Sequence, residues 1–317
     1  MQNRPWGGRI FHRSVGQAVT FAVNRPWLFG TDEINIASFS IASNGALKLT
    51  DSFLAEANGG LFSLFLDHTG STLYTDYYTT NNDYLTYGID QASGQLTFVN
   101  DLAGGPSNNS PVSFVGNNEF AYSSSCYHFT PSIYGVQRAS NGALTYLTSN
   151  PPFPAAPSGD FWCPWLAAAD PTNHLAVAMQ PLTGDWGIAG PYQLASYTVD
   201  GSGNLTTSDT YESMPKVLVG TVNDYWMSPD GKYLAVGGTT GLQIYHFNEA
   251  NPITRFTGLL TKNEVDQMFW DNANHLYAIT STAGELYVYT ITSKGVAQAP
   301  GSPHSITAPE NVIVLPK

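Results

Sequence analysis

SNGAL, at residues 43–47, returns letter for letter at residues 140–144, and two near-copies accompany it: ASGQL at 92–96 and GSGNL at 201–205. The glycines of these turns, Gly45, Gly94, Gly142 and Gly203, are spaced by 49, 48 and 61 residues. A second set of turns alternates with the first: LDHTGSTLY from Leu66, VGNNEFAY from Val115, ADPTNHLAV from Ala169, SPDGKYLAV from Ser228 and DNANHLYAI from Asp271. Between the turns lie short runs of period-two alternation, such as IASFSIA, GLQIYHF and ELYVYTI, which read as half-buried strands. No segment keeps a helical period over three turns. A four-stranded unit that recurs every 40 to 60 residues is the sequence signature of a β-propeller blade.

Six full blades can be counted, at about 18–53, 60–102, 109–150, 161–212, 221–261 and 265–305. The remainder, APENVIVLPK at 308–317, reads as one more inner strand. Propellers close by pairing strands from the two chain ends, because closure removes exposed edges. Residues 1–17 are irregular and GGRIFHR supplies one strand at most. The expectation is a single all-β propeller domain over 1–317, seven-fold, with an incomplete closing blade. A six-bladed ring with a five-stranded closing sheet is the competing geometry.

Composition narrows the functions. Charged residues are 11% of the chain, against a usual quarter, and aromatics reach 13%. The net charge of -12 argues against nucleic acid and anionic membranes as partners. The expected partner is instead a neutral small molecule or a carbohydrate, and the protein is expected to be a monomer. No apolar run is long enough to span a bilayer. As written the chain reads as cytoplasmic; an upstream signal absent from this sequence would make it periplasmic or secreted.

The turn SPDGKYLAV, the repeated G-x-L turns and the ending GSPHSITAPENVIVLPK together resemble the lactonase family of seven-bladed propellers, which includes bacterial 6-phosphogluconolactonases and fungal muconate-cyclising enzymes. The resemblance implies active residues on inner strands, yet different residues stand at the family's positions. WCPWL aligns with a family PHCHS pattern, placing Cys163 and Trp165 where two histidines belong. TVND aligns with GPRH, so that Asn223 and Asp224 replace an arginine and a histidine, and Gln267 replaces a glutamate, with Asp266 beside it. Phosphorylated lactones need Lys or Arg to hold the phosphate, and between Asp51 and Asp230 the only basic residues are Arg138 and Lys216. Activity on 6-phosphogluconolactone is therefore not expected.

Two functions from different classes remain. One is a divergent hydrolase of neutral lactones or related cyclic esters, with Asp224 or Asp266 as general base on water and a bound cation polarising the carbonyl. Asp160, Asp224, Asp266 and Glu310 are the candidate ligands of that cation, which their oxygens would suit as Ca²⁺. The competing reading has these carboxylates capping strand ends. The other function is a non-catalytic, exported propeller that binds a carbohydrate or protein through its channel or rim. For such a ligand Trp162, Trp165, Tyr225 and Trp226 are candidate stacking faces, and Asn223, Gln267 and Asn311 candidate hydrogen-bonding partners. Aromatics wedged between blades are the alternative. Cys126 and Cys163 fall on neighbouring blades and read as a disulfide, as two buried thiols, or as a Cys163–His128 pair. His68, His174 and His275 lie in the recurrent turns and reflect turn preference. Asn108 and Asn204 head N-x-S/T sequons.

Overall fold

The computed structural model describes residues 19–21, 27–31, 34–42, 46–55, 60–78, 82–105, 112–126, 131–147, 151–157 and 159–307. Among them there is no helix, and the strands form six antiparallel sheets whose strand order follows the chain. Blade 1 comprises Val19–Phe21, Trp27–Thr31, Asn35–Ile41 and Leu47–Leu54, and blade 2 Leu61–Leu66, Thr72–Tyr78, Asn82–Ile89 and Leu96–Gly105. Blade 3 is Ser113–Phe114, Phe120–Ser125, Ser132–Arg138 and Leu144–Tyr146. Blade 4 is Asp160–Ala169, His174–Thr183, Gln193–Val199 and Leu205–Thr206. Val222–Met227, Tyr233–Gly238, Gly241–Asn248 and Asn251–Arg255 make blade 5. Blade 6 has Gln267–Trp270, His275–Thr280, Glu285–Thr292 and Gly295–Gln298, with a fifth strand, His304–Ser305, on Glu285 and Leu286.

The protein is thus a β-propeller with six blades, which corrects the seven-fold expectation in favour of its six-bladed alternative. The short strand His304–Ser305, at the end of the stretch counted as the sixth blade, pairs back onto blade 6. The proposed closing strand at 308–317 and the segment 1–17 lie outside the described residues. The chain divides into two compact units, Met1–Gly105 with Ser140–Leu144, and Pro106–Ala139 with Thr145–Lys317.

The second strands of blades 3, 4 and 5 are buried on both faces over most of their length, and the sequence records this. HLAVAM, at 174–179, is buried at every position, because alternate side chains enter the cores on its two sides. Leu175, Val177 and Met179 join Phe120 and Tyr122 of blade 3 in one cluster. Ala176 and Ala178 join Leu234, Val236 and Tyr245 of blade 5 in the next. In the first unit Phe29, Ile36, Leu61, Leu73 and Leu85 make the corresponding cluster. Each fully buried aliphatic of this kind contributes roughly 1.5–3 kcal/mol.

The two sets of turns have separate physical causes. In the second set an aspartate accepts the backbone N–H four residues on: Ser71 to Asp67 at 3.1 Å, His174 to Asp170 at 2.8 Å and His275 to Asp271 at 2.8 Å. The imidazoles of His174 and His275 also face their own aspartates, Nδ1 lying 3.1 and 2.7 Å from Oδ2. Both histidines therefore belong to the turn. In the first set the glycine is a seat. Gly203 has φ 79°, and a Cβ there would lie 2.8 Å from Phe120, whose neighbour Tyr122 donates its hydroxyl to the Gly203 carbonyl at 2.7 Å. Gly142 rests likewise on Thr72, with the Tyr74 hydroxyl donating to its carbonyl at 3.0 Å, and Gly94 rests on Trp27. Each of these three turns is docked on the second strand of the blade before it, and only glycine leaves room.

Tyrosines fill much of this core. Burial pushes the phenols of Tyr122, Tyr192, Tyr197, Tyr225, Tyr245 and Tyr289 above their ordinary value. A phenol that stays protonated in the fold but ionises when unfolded lowers stability once pH exceeds the free value of about 10, and has no effect below it. Denaturation midpoints are expected to be flat from pH 8 to 9.5 and to fall steeply above 10. Absorbance at 295 nm should show these phenols ionising together with unfolding; six phenols titrating freely in folded protein would contradict the burial.

Candidate functional site

Asp224 lies in the first strand of blade 5, at a bulge between Val222 and Asp224. Its carboxylate is buried. Oδ1 accepts the backbone N–H of Tyr225 at 3.0 Å, both oxygens stand 3.0 Å from the Trp226 indole nitrogen, and Oδ2 accepts the N–H of Met268 at 2.6 Å. The last bond crosses to the first strand of blade 6. Asp224 is a clamp between blades, and its lone pairs are directed at donors rather than at a water. Asp266 is engaged more lightly, Oδ2 accepting the N–H of Ser281 at 2.6 Å. Asn223 donates to Glu264 Oε1 and to the Val265 carbonyl, each at 3.1 Å. Gln267 is half-buried and opposite Ile279.

The aromatic candidates divide. Trp162 is 2% exposed and donates its indole N–H to the Pro154 carbonyl at 2.9 Å; Tyr225 is 6% exposed. Neither can offer a stacking face, which corrects that expectation: both are packed into the core clusters on either side of their blades. Trp165 is half-buried against Tyr192 and donates to the Val222 carbonyl at 3.1 Å, tying blade 4 to blade 5. Trp226 remains 41% exposed, with Phe269 beside it at 6.1 Å.

The cation site is corrected as well. Among the described residues no three His, Cys, Asp or Glu side chains gather, so Asp160, Asp224 and Asp266 do not form one oxygen cage; Asp224 is spent on its clamp. Glu310, Asn311, His128 and Asn108 lie outside the described residues, and Asn204 is exposed in its turn, its amide held by Asp200 at 3.0 Å.

Cys126, just after the second strand of blade 3, is joined by a disulfide to Cys163 in the first strand of blade 4, the Cα atoms 5.2 Å apart. Beside this link is a pocket of about 370 Å³, lined by Pro131, Phe153, Pro154, Ala156, Asp160, Phe161 and Trp162. Asp160 is its single charged group, and no described residue hydrogen-bonds or ion-pairs with its carboxylate.

One feature of this region escaped the sequence reading. The first two strands of blade 4 have ten residues each, and the second continues into a hairpin, with Leu182 opposite Ile188, Thr183 N–H on the Gly187 carbonyl at 2.8 Å and Ala189 N–H on the Pro181 carbonyl at 2.9 Å. At its tip Trp186 has φ 65°, and its ring meets Phe161 edge to face at 4.5 Å. The signal was present in the 61-residue spacing before Gly203, which locates extra chain in this blade without saying what it carries.

No protein-family model matches the chain, and no curated protein matches it. Solved structures do. A protein from Bacteroides uniformis, provisionally described as a 6-phosphogluconolactonase, is 13% identical over 94% of this chain and 87% of its own, with a TM-score of 0.65. A protein from Lactobacillus plantarum is 14% identical over 93% and 85%, with a TM-score of 0.62. A chain of the mitotic checkpoint complex is 14% identical over 90% and 76%, with a TM-score of 0.61. At such identities the likeness establishes the propeller fold, with a lactonase-like structure among its neighbours. Chemistry has to come from the site.

Proposed function

We infer that this propeller is a binding module whose ligand is a neutral carbohydrate held in the Asp160–Phe161 pocket. The observation that carries the reading is a contrast between two carboxylates. Asp224, which stands where the lactonase resemblance puts a catalytic histidine, has both oxygens committed to backbone and indole N–H groups. Asp160, at the pocket, has its acceptors available to hydroxyl donors beside the aromatic wall of Phe153 and Phe161. Carboxylate beside aromatic ring suits a sugar, whose C–H face packs on the ring while its hydroxyls donate. A disulfide between blades accords with export to an oxidising compartment.

Titration calorimetry with glucose, galactose and mannose tests this, alongside assays of γ- and δ-lactone hydrolysis. Binding with millimolar or tighter affinity is expected, lost on Asp160→Ala, with no turnover of any lactone. Hydrolysis by the wild-type protein that Asp266→Asn abolishes would replace this reading with the hydrolase.

A further inference from the structure

The hairpin at Pro181–Pro191 has no counterpart in the other described blades, whose second strands end within seven residues. Trp186 at its tip is the only aromatic residue at positive φ among those described; the others are Asn118, Glu249 and Asn274. A bulky side chain in the left-handed region is strained where glycine would not be. The turn itself does not call for the indole, since its hydrogen bonds, Trp186 N–H to Thr183 O at 2.8 Å and Gly187 N–H to Thr183 Oγ1 at 2.9 Å, are made by the backbone and Thr183. What the indole does reach is Phe161, with the two rings inclined at 61°. Phe161 lines the pocket; Trp186 adjoins it without lining it.

Building on the carbohydrate reading, we propose that Trp186 is a second aromatic platform, placed by this hairpin so that the site takes two linked sugar rings. One ring occupies the pocket against Phe161 with Asp160 accepting from its hydroxyls. The next packs on Trp186. The inclined pair of faces fits a glycosidic link, which changes direction between rings, better than a single flat ring. The scarcity of cations, with Arg138 and Lys216 the only basic residues between Asp51 and Asp230, makes an uncharged oligosaccharide a better occupant than an acidic one.

The experiment compares glucose with cellobiose and maltose, and choline as an organic cation, on wild type, Trp186→Phe, Trp186→Gly and Trp186→Asn. Glycine and asparagine both accept the left-handed backbone, so the fold should survive each change, and thermal unfolding checks it. Wild type should bind one of the disaccharides about tenfold more tightly than glucose, the worth of one good ring contact. Trp186→Gly and Trp186→Asn should erase that tenfold while leaving glucose affinity within a factor of two, and Trp186→Phe should restore most of it. A disaccharide preference that persists in both ring-free variants overturns the proposal and leaves the pocket reading intact. Wild-type protein that binds choline but no sugar overturns both.

Discussion

Removing the disulfide by the paired change Cys126→Ser and Cys163→Ser is expected to lower the unfolding free energy by about 4 kcal/mol, which is what closing a loop of this size contributes on the chain-entropy account. The loop closed is 37 residues, from the end of one blade 3 strand to the first strand of blade 4. The effect is amplified in function, because pocket residues lie on both sides of the link: Pro131 on blade 3, and Asp160, Phe161 and Trp162 on blade 4. Urea denaturation of oxidised, reduced and doubly substituted protein measures it. Reduced and substituted forms should coincide and fall well below the oxidised form. Three identical curves, or two free thiols titrated in unfolded, unreduced protein, would mean that the bond does not form.

Asp224→Ala is expected to cost about 3 kcal/mol, and Asp224→Asn somewhat less. Alanine leaves the N–H groups of Tyr225 and Met268 without their acceptor in a buried place, at roughly 1–3 kcal/mol each. The indole of Trp226 is half in water and can replace its partner there. Asparagine keeps one acceptor oxygen but turns an amide N–H₂ towards donors on the other side. Melting curves should show the loss as several degrees for a chain of this length. An Asp224→Asn protein that melts with the wild type but loses a hydrolytic activity would restore Asp224 to catalysis.

Cys126, Cys163 and Asp224 also mark how far sequence carried. The blades were legible because the turns recur: an aspartate answering the N–H four residues on in three of the five turns of one set, and a glycine with no room for Cβ in the other, leave recognisable letters. The blade boundaries followed within a few positions, since strands between such turns have nowhere else to end. Blade number was harder, because a short strand near the end can start another sheet or fold back on the last one, and His304–Ser305 does the latter. At the site, residue type was readable and direction was not. DFWCPWL brings Asp160, Phe161 and the almost wholly buried Trp162 to one pocket, and a bulge between Pro164 and Leu166 breaks the alternation that would have related Trp162 to Trp165. The clamp of Asp224 on Met268 joins residues 44 apart and has no local signature.

The seating of each glycine turn on the preceding blade constrains how such a protein can diversify. In blade 4 the seat at Gly203 lies at the His174 end of the second strand, where Asn173 and His174 meet Val199 and Thr198, while the hairpin grows from the Thr183 end. The end seated through its glycine has no room for insertion, whereas the Thr183 end has lengthened in this blade. New recognition surfaces can therefore be grafted at the Thr183 end, by evolution or by design, provided that they spare the links between blades which that end also carries, such as the Cys126–Cys163 disulfide and the Asp224–Met268 bond. Exchanging whole blades should succeed only when the cut keeps a glycine turn together with the strand that receives it.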